Sequence, residues 1–61
     1  MANPKLIARQ GNLKLYFTKK TVNIFSEEED TGFIEFPDGK RIFANINDVL
    51  SRGNWNIVGK I

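Results

Sequence analysis

The stretch from Thr31 to Ile46, T-G-F-I-E-F-P-D-G-K-R-I-F-A-N-I, constrains this chain more than any other. Pro37 fixes φ for the first central position of a type I turn, Asp38 suits the second, and Gly39 can take the left-handed conformation that follows. Together they predict a hairpin built on a type I turn and a glycine bulge. That turn pairs Phe36 with Lys40 and, counting outward, Glu35 with Arg41, Ile34 with Ile42 and Phe33 with Phe43. Successive side chains point to opposite faces of a strand pair. One face should therefore carry Phe36, Ile34, Ile42 and Ala44, and the other Glu35, Arg41, Phe33 and Phe43. Opposite charges directly across from each other, Glu35 and Arg41, mark the second face as the solvated one.

The preceding run T-V-N-I-F-S, residues 21–26, is β-branched and alternating, which predicts another strand. The acidic residues Glu27, Glu28, Glu29 and Asp30 read as the loop between them. A five-residue loop ending at Thr31 pairs Ser26 with Gly32, which sets Ile24 beside Ile34 and Ile42, and Phe25 beside Phe33 and Phe43. A loop one residue shorter would mix the faces. The expected unit is a three-stranded sheet with an Ile row inside and a Phe row outside.

Lys5 to Gln10 is a further strand candidate, and Gly11-Asn12 suits a two-residue type II′ turn. From Leu13 to Thr18 the chain alternates, with Leu13, Leu15 and Phe17 inward and Lys14, Tyr16 and Thr18 outward. The turn pairs Gln10 with Leu13, Arg9 with Lys14, Ala8 with Leu15 and Leu6 with Phe17. Two like charges, Arg9 and Lys14, then face each other, which is unfavourable without an anion or solvent between them. Thr18 to Thr21 reads as the next turn. After the central hairpin, Asn47 is an N-cap candidate, Asp48 falls in the first turn and Gly53 can end the segment left-handed. About one helical turn fits there, with Val49 and Leu50 plugging the open end of the sheet. Asn54 to Lys60 supplies a last strand, with Trp55 and Ile57 on one face.

This order predicts an all-β domain spanning residues 1–61: a small SH3-like antiparallel barrel of five or six short strands, with one helical turn before the last strand. A barrel closes the sticky edges that an isolated sheet leaves open. Its expected interior is Leu6, Leu13, Leu15, Phe17, Val22, Ile24, Ile34, Phe36, Ile42, Ala44, Ile46, Leu50, Trp55 and Ile57. The alternative is an open antiparallel sheet that dimerises through the Phe row.

Composition narrows the function. A chain of 61 residues buries only ~60% of its unfolded surface. With no Cys it has no disulfide and no thiolate metal site, and with no His it lacks the commonest general base and metal ligand. Ser26, Ser51 and Tyr16 thus have no imidazole to activate them, and Glu35 is expected to stay paired with Arg41. The expectation is a non-enzymatic protein with no cofactor and no metal. No apolar run approaches the ~20 residues of a membrane span, and the N-terminus has no signal-peptide core. The expected setting is cytoplasmic, a phage-infected or plasmid-bearing cell included. The acidic run lacks the alternating Asp/Asn and Gly of a calcium loop, and reads as a solvated loop.

Net charge is +2 but unevenly spread. Residues 1–20 carry Lys5, Arg9, Lys14, Lys19 and Lys20 and no acid, whereas residues 21–39 carry only acids. Such asymmetry permits an anionic partner on one side without demanding one.

The candidate site is the outer row Phe25, Phe33 and Phe43 with Tyr16, Arg41, Lys14 and Lys20 around it. Aromatics on a sheet flanked by cations form a stacking platform for single-stranded nucleic acid. They equally form the apolar centre of a protein interface, or are covered by the N-terminal strand or Trp55. G-F-I at 32–34, D-G at 38–39 and I-F-A at 42–44 resemble the nucleic-acid-binding strands of cold-shock domains. The resemblance spans about a quarter of the chain. It lacks that family's Lys-Trp strand and its His, and only 15 residues follow Ile46, so it is read as shared hairpin chemistry rather than kinship. The expected function is a protein-binding module (an inhibitor, an accessory subunit or a homodimer); the alternative is a single-stranded DNA- or RNA-binding module using the same row.

Overall fold

The computed structural model describes residues 3–61, so the first two residues of the expected domain lie outside the described residues. Strands β1 (Lys5–Gln10), β2 (Leu13–Val22), β3 (Glu28–Glu35) and β4 (Arg41–Asn45) follow one another as hairpins; then come helix α1 (Ile46–Arg52) and a short strand β5 (Asn56–Ile57). They form one antiparallel sheet in the order β4-β3-β2-β1-β5. The protein is therefore β-rich with one short helix, but the sheet is open: no ladder joins β4 to β5 among the described residues, and the expected barrel does not close. One face is covered by α1, which lies mainly against β3. Ile7, Ala8, Leu15 and Ile46 are buried there, with Phe17, Ile34, Val49, Leu50 and Trp55 packed around them.

The central hairpin forms in the expected register. Phe36 N–H donates to the Lys40 carbonyl at 2.8 Å, Gly39 N–H donates to the Phe36 carbonyl at 2.9 Å, and Gly39 has φ +92°. Asp38 Oδ1 accepts from Lys40 N–H at 2.9 Å, which fixes the turn. Glu35, Ile34 and Phe33 pair with Arg41, Ile42 and Phe43. The Gly11-Asn12 turn also forms, with Gly11 at φ +57° and the pairs Gln10–Leu13, Arg9–Lys14 and Ala8–Leu15. A bulge at Ile7 then moves Leu6 opposite Tyr16 instead of Phe17. The Ile7 carbonyl at that bulge accepts from Val58 N–H at 2.9 Å and Gly59 N–H at 3.2 Å, tying the chain after β5 back onto β1.

The middle turn differs from expectation. Strand β2 continues through residues 18–21, where a turn was expected, and reverses instead at Asn23–Glu27. Asn23 organises this reversal: its Oδ1 accepts from Phe25 N–H at 2.8 Å and Glu27 N–H at 3.0 Å. Asn23 N–H donates to the Glu27 carbonyl at 3.0 Å, and Ser26 N–H to the Asn23 carbonyl at 3.1 Å. This is the same bonding pattern as at Phe36–Lys40, with Ser26 at φ +62° where the other turn has Gly39. The acidic run lies largely in β3, where Asp30 faces Lys20 and Glu29 faces Thr21. Opposite charge across the ladder offsets the poor strand propensity of an acid. A side chain in the left-handed region costs ~1–2 kcal/mol, of which glycine's extra unfolded entropy returns ~0.4–1. Ser26→Gly is therefore expected to stabilise the protein by ~0.5–1 kcal/mol, read as a rise of roughly 2–8 °C in a thermal melt. A lower melting temperature would contradict the turn geometry.

Several expected positions are corrected, Ile24, Phe25 and Val22 by this turn, Leu6 by the Ile7 bulge, and Ile42 and Ile57 because the sheet stays open. Ile24 and Phe25 sit at the exposed tip of the turn, not in rows beside Ile34 and Phe33. Val22, Ile42 and Ile57 are also exposed, and Leu6 shares the face of Tyr16. The helix starts two residues earlier than expected. Asn45, not Asn47, caps it, with Oδ1 accepting from Asp48 N–H at 3.1 Å. Gly53 ends it in an extended conformation (φ −142°) rather than a left-handed one.

Candidate aromatic binding face

Among the described residues the sheet face opposite α1 has no helix over it. Two side-chain rows cross it, and the ladder registers define both. Leu6, Tyr16, Phe33 and Phe43 line up across β1 to β4, and Arg9, Lys14, Glu35 and Arg41 form the next row. Tyr16 stacks on Phe33 with ring centroids 5.1 Å apart and planes at 25°. Phe43 meets Phe33 edge-on at 5.9 Å and 73°. The Arg41 guanidinium sits 4.8 Å above the Phe33 ring, a cation–π contact. Its Nε lies 3.4 Å from Glu35 Oε2, so the expected ion pair is present.

Phe33 is consequently buried, at 3% exposure, under its own neighbours, while Phe43 on the outermost strand is 73% exposed. The ring expected at the centre of a wet row is thus its floor, and Phe43 is the ring presented to solvent. Phe25, also 73% exposed, is not part of the row; it projects from the β2–β3 turn, and Tyr16 takes the place expected for it. Of the expected cations, Lys14 and Arg41 lie on this face. Lys20 does not, because a bulge at Thr18 resets the alternation of β2 and brings Lys19 to the aromatic face instead. The bulge is held by Thr18 Oγ1 donating to the Thr31 carbonyl at 3.0 Å. The Thr21 and Thr31 hydroxyls, 2.9 Å apart, confirm the reset phase. Leu6, Arg9 and Lys19 belong to the face and were not singled out from the sequence as part of it. Only the facing of Arg9 and Lys14 across the Gly11-Asn12 turn pointed there.

Beyond Arg9, Lys14 and Glu35 the charged row ends in an open concavity of about 330 Å³, also lined by Asn12, Phe36, Pro37 and Gly39. At the other margin of the face, β4 is a free edge. In an antiparallel pair the residues alternate between hydrogen-bonded and non-hydrogen-bonded partners. Phe36 and Lys40 are hydrogen-bonded, so Ile34–Ile42 and Gly32–Ala44 are as well. The peptide groups of Arg41 and Phe43 and the N–H of Asn45 therefore point away from β3, toward the open edge, while the Asn45 carbonyl is taken up by the first turn of α1. Ile42, 46% exposed, lies on the helix side of this edge and Phe43 on the other.

No group of three acidic side chains that could hold a metal ion occurs among the described residues, and no helix there is long and apolar enough to cross a membrane. No protein-family model, curated protein or solved structure matches the chain. The cold-shock resemblance of the hairpin accordingly has no family match behind it.

Proposed function

We propose that this protein is a non-enzymatic binding module that takes an extended segment of a protein partner along β4. The observation that carries the reading is that the most exposed ring of the aromatic row, Phe43, stands on the long open edge of the sheet. Strand addition to such an edge draws affinity from main-chain hydrogen bonds and specificity from side-chain pockets beside it. Phe43 and Ile42 would supply apolar contact on the two faces, and Arg41 would favour an acidic or polar residue opposite it. A cytoplasmic setting without cofactor or membrane belongs to the same proposal.

A second reading, single-stranded nucleic acid on the aromatic face, is favoured by Arg9, Lys14, Lys19 and Arg41 lying on that face. Burial of Phe33 counts against it, since base stacking needs open rings. Replacing Phe43 decides between them. Phe43→Ser is expected to keep the fold, changing stability by under ~1 kcal/mol as surface substitutions do. It should also abolish an association that persists at high salt, because apolar burial is not screened. The nucleic-acid reading instead predicts ~5- to 150-fold weaker binding to single-stranded DNA or RNA in a gel shift, with affinity falling steeply as salt rises. A Phe43→Ser protein that unfolds would remove the exposed-ring premise of both.

A further inference from the structure

We infer that the partner strand is β4 of a second copy of this chain, forming a closed two-fold dimer. The inference rests on the edge-binding reading above and names its occupant. Among the described residues five hydrophobic side chains are buried, Ile7, Ala8, Leu15, Phe33 and Ile46, while Val22, Ile24, Phe25, Ile42, Phe43, Ile57, Val58 and Ile61 are exposed. Domains this small compensate for a thin core with disulfides, a structural metal or self-association. The chain has no Cys and no His, so neither a disulfide nor a thiolate or imidazole metal site supplies that compensation, and self-association through the exposed apolar edge is the route its surface offers. A second copy is also the partner whose supply matches the chain's own.

The topology favours a closed pair. Among the described residues β4 is the border strand that is free along its whole length. The opposite border is the two-residue β5, beyond which residues 18–22 of β2 are also unpaired on their β1 side but carry Lys19 and Lys20. Antiparallel pairing of β4 with itself uses the same patch on both copies and stops at two, as an isologous interface does. The register follows from the peptide groups and charges. Arg41 and Phe43 point their peptide groups outward, and Asn45 its N–H, so these positions must form the hydrogen-bonded pairs, the outermost of them through the Asn45 N–H alone. With Phe43 on the two-fold axis, Phe43 pairs with the second copy's Phe43, and Arg41 with the second copy's Asn45. Ile42 then faces the second copy's Ala44 on the helix side, a large side chain against a small one. Arg41 is the only charged residue of β4, and in this register it faces a neutral partner. Shifting the axis to Ile42 would make the two Arg41 side chains diagonal neighbours and reduce the number of paired residues. The Phe43 register also joins the aromatic rows of both copies into one continuous band across a ten-stranded sheet.

The chain's lack of Cys makes the register testable. Sedimentation equilibrium of the full chain from about 1 μM to about 1 mM should show a monomer–dimer equilibrium. Phe43→Lys, a charge on the edge, should weaken it by about 100-fold or more. Phe43→Pro removes the outward N–H together with the exposed ring, breaks no ladder bond to β3, and should do the same while the melt remains cooperative. Mixing Ile42→Cys with Ala44→Cys under mild oxidation should give the mixed disulfide in excess over either homodimer. That pair is non-hydrogen-bonded, with Cα atoms ~4.5 Å apart, within disulfide range. A chain that stays monomeric throughout, or a dimer indifferent to Phe43→Lys, overturns the inference. The capped peptide Ac-Glu-Val-Phe-Val-Glu-NH2, titrated into the monomeric form, separates this failure from failure of the edge reading. Protection of the Arg41 and Phe43 amides from exchange by that peptide would keep the edge reading and discard the second copy. No protection and no dimer would discard both.

Discussion

Gly32→Ala is expected to prevent folding. Gly32 pairs with Phe17 immediately beside the Thr18 bulge, and there the backbone of β2 comes so close that a Cβ would overlap the Tyr16 carbonyl oxygen. The same Cβ would lie 2.7 Å from Ile46 Cδ1, the side chain that seats α1 on the sheet. The isoleucine methyl can move, but the Tyr16 carbonyl is part of the central strand and cannot shift without opening the ladders on both sides of β2. Overpacking of a core ordinarily costs ~1–3 kcal/mol, and a clash with backbone costs more. A domain of 61 residues has about 3–9 kcal/mol in total. Circular dichroism of Gly32→Ala should show no cooperative thermal transition. Gly39→Ala is the control: it has open space around it and φ +92°, so it should lose only the ~1–2 kcal/mol of a left-handed side chain and still melt cooperatively. A Gly32→Ala protein as stable as Gly39→Ala would refute the β2–β3 register.

This glycine marks where the sequence stops being legible. Turns with their own chemistry were readable: Pro37-Asp38-Gly39 and Gly11-Asn12 each fix a register, and the chain adopts both. The turn at Asn23–Glu27 was not, because its left-handed position holds Ser26 rather than glycine and its organiser is a side chain, Asn23 Oδ1. Thr18 to Thr21 and Glu28 to Asp30 have the composition of turns yet pair with each other, Lys20 against Asp30, as strands. The β2–β3 ladder, which sets Lys20 opposite Asp30, overrides local propensity there. The bulges at Ile7 and Thr18 leave no sequence signal, and each shifts the facing of everything beyond it.

The candidate face shows the same division. The Phe33–Phe43 pair and the Glu35–Arg41 ion pair follow from the central turn alone, and both are present. The third ring depended on the middle turn. With that turn moved, Phe25 leaves the row and Tyr16 stacks on Phe33 in its stead. Depth was not legible either. Alternation assigns a residue to a face, but it does not say that Tyr16, Phe43 and Arg41 will close over Phe33 and leave a single ring at the edge.

Ile46→Ala is expected to cost ~2–5 kcal/mol, the usual range for deleting a buried isoleucine, and so about half of what holds the domain folded. Ile46 is fully buried, is the first residue of α1, and lies over Gly32, where the absence of a side chain makes room for it. It is the contact through which the helix that follows β4 is clamped back onto β3. Its loss leaves a cavity that Val49 and Leu50, fixed on the same short helix, cannot fill without moving the Asn45 cap. Urea titration should show the midpoint falling accordingly, whereas Ile42→Ala, on the half-exposed edge, should cost under ~1 kcal/mol under conditions where the chain is monomeric. Equal costs at the two positions would mean that the helix is not seated on Gly32. The sheet would then be open on both faces, and the aromatic side would lose its distinction as the uncovered one.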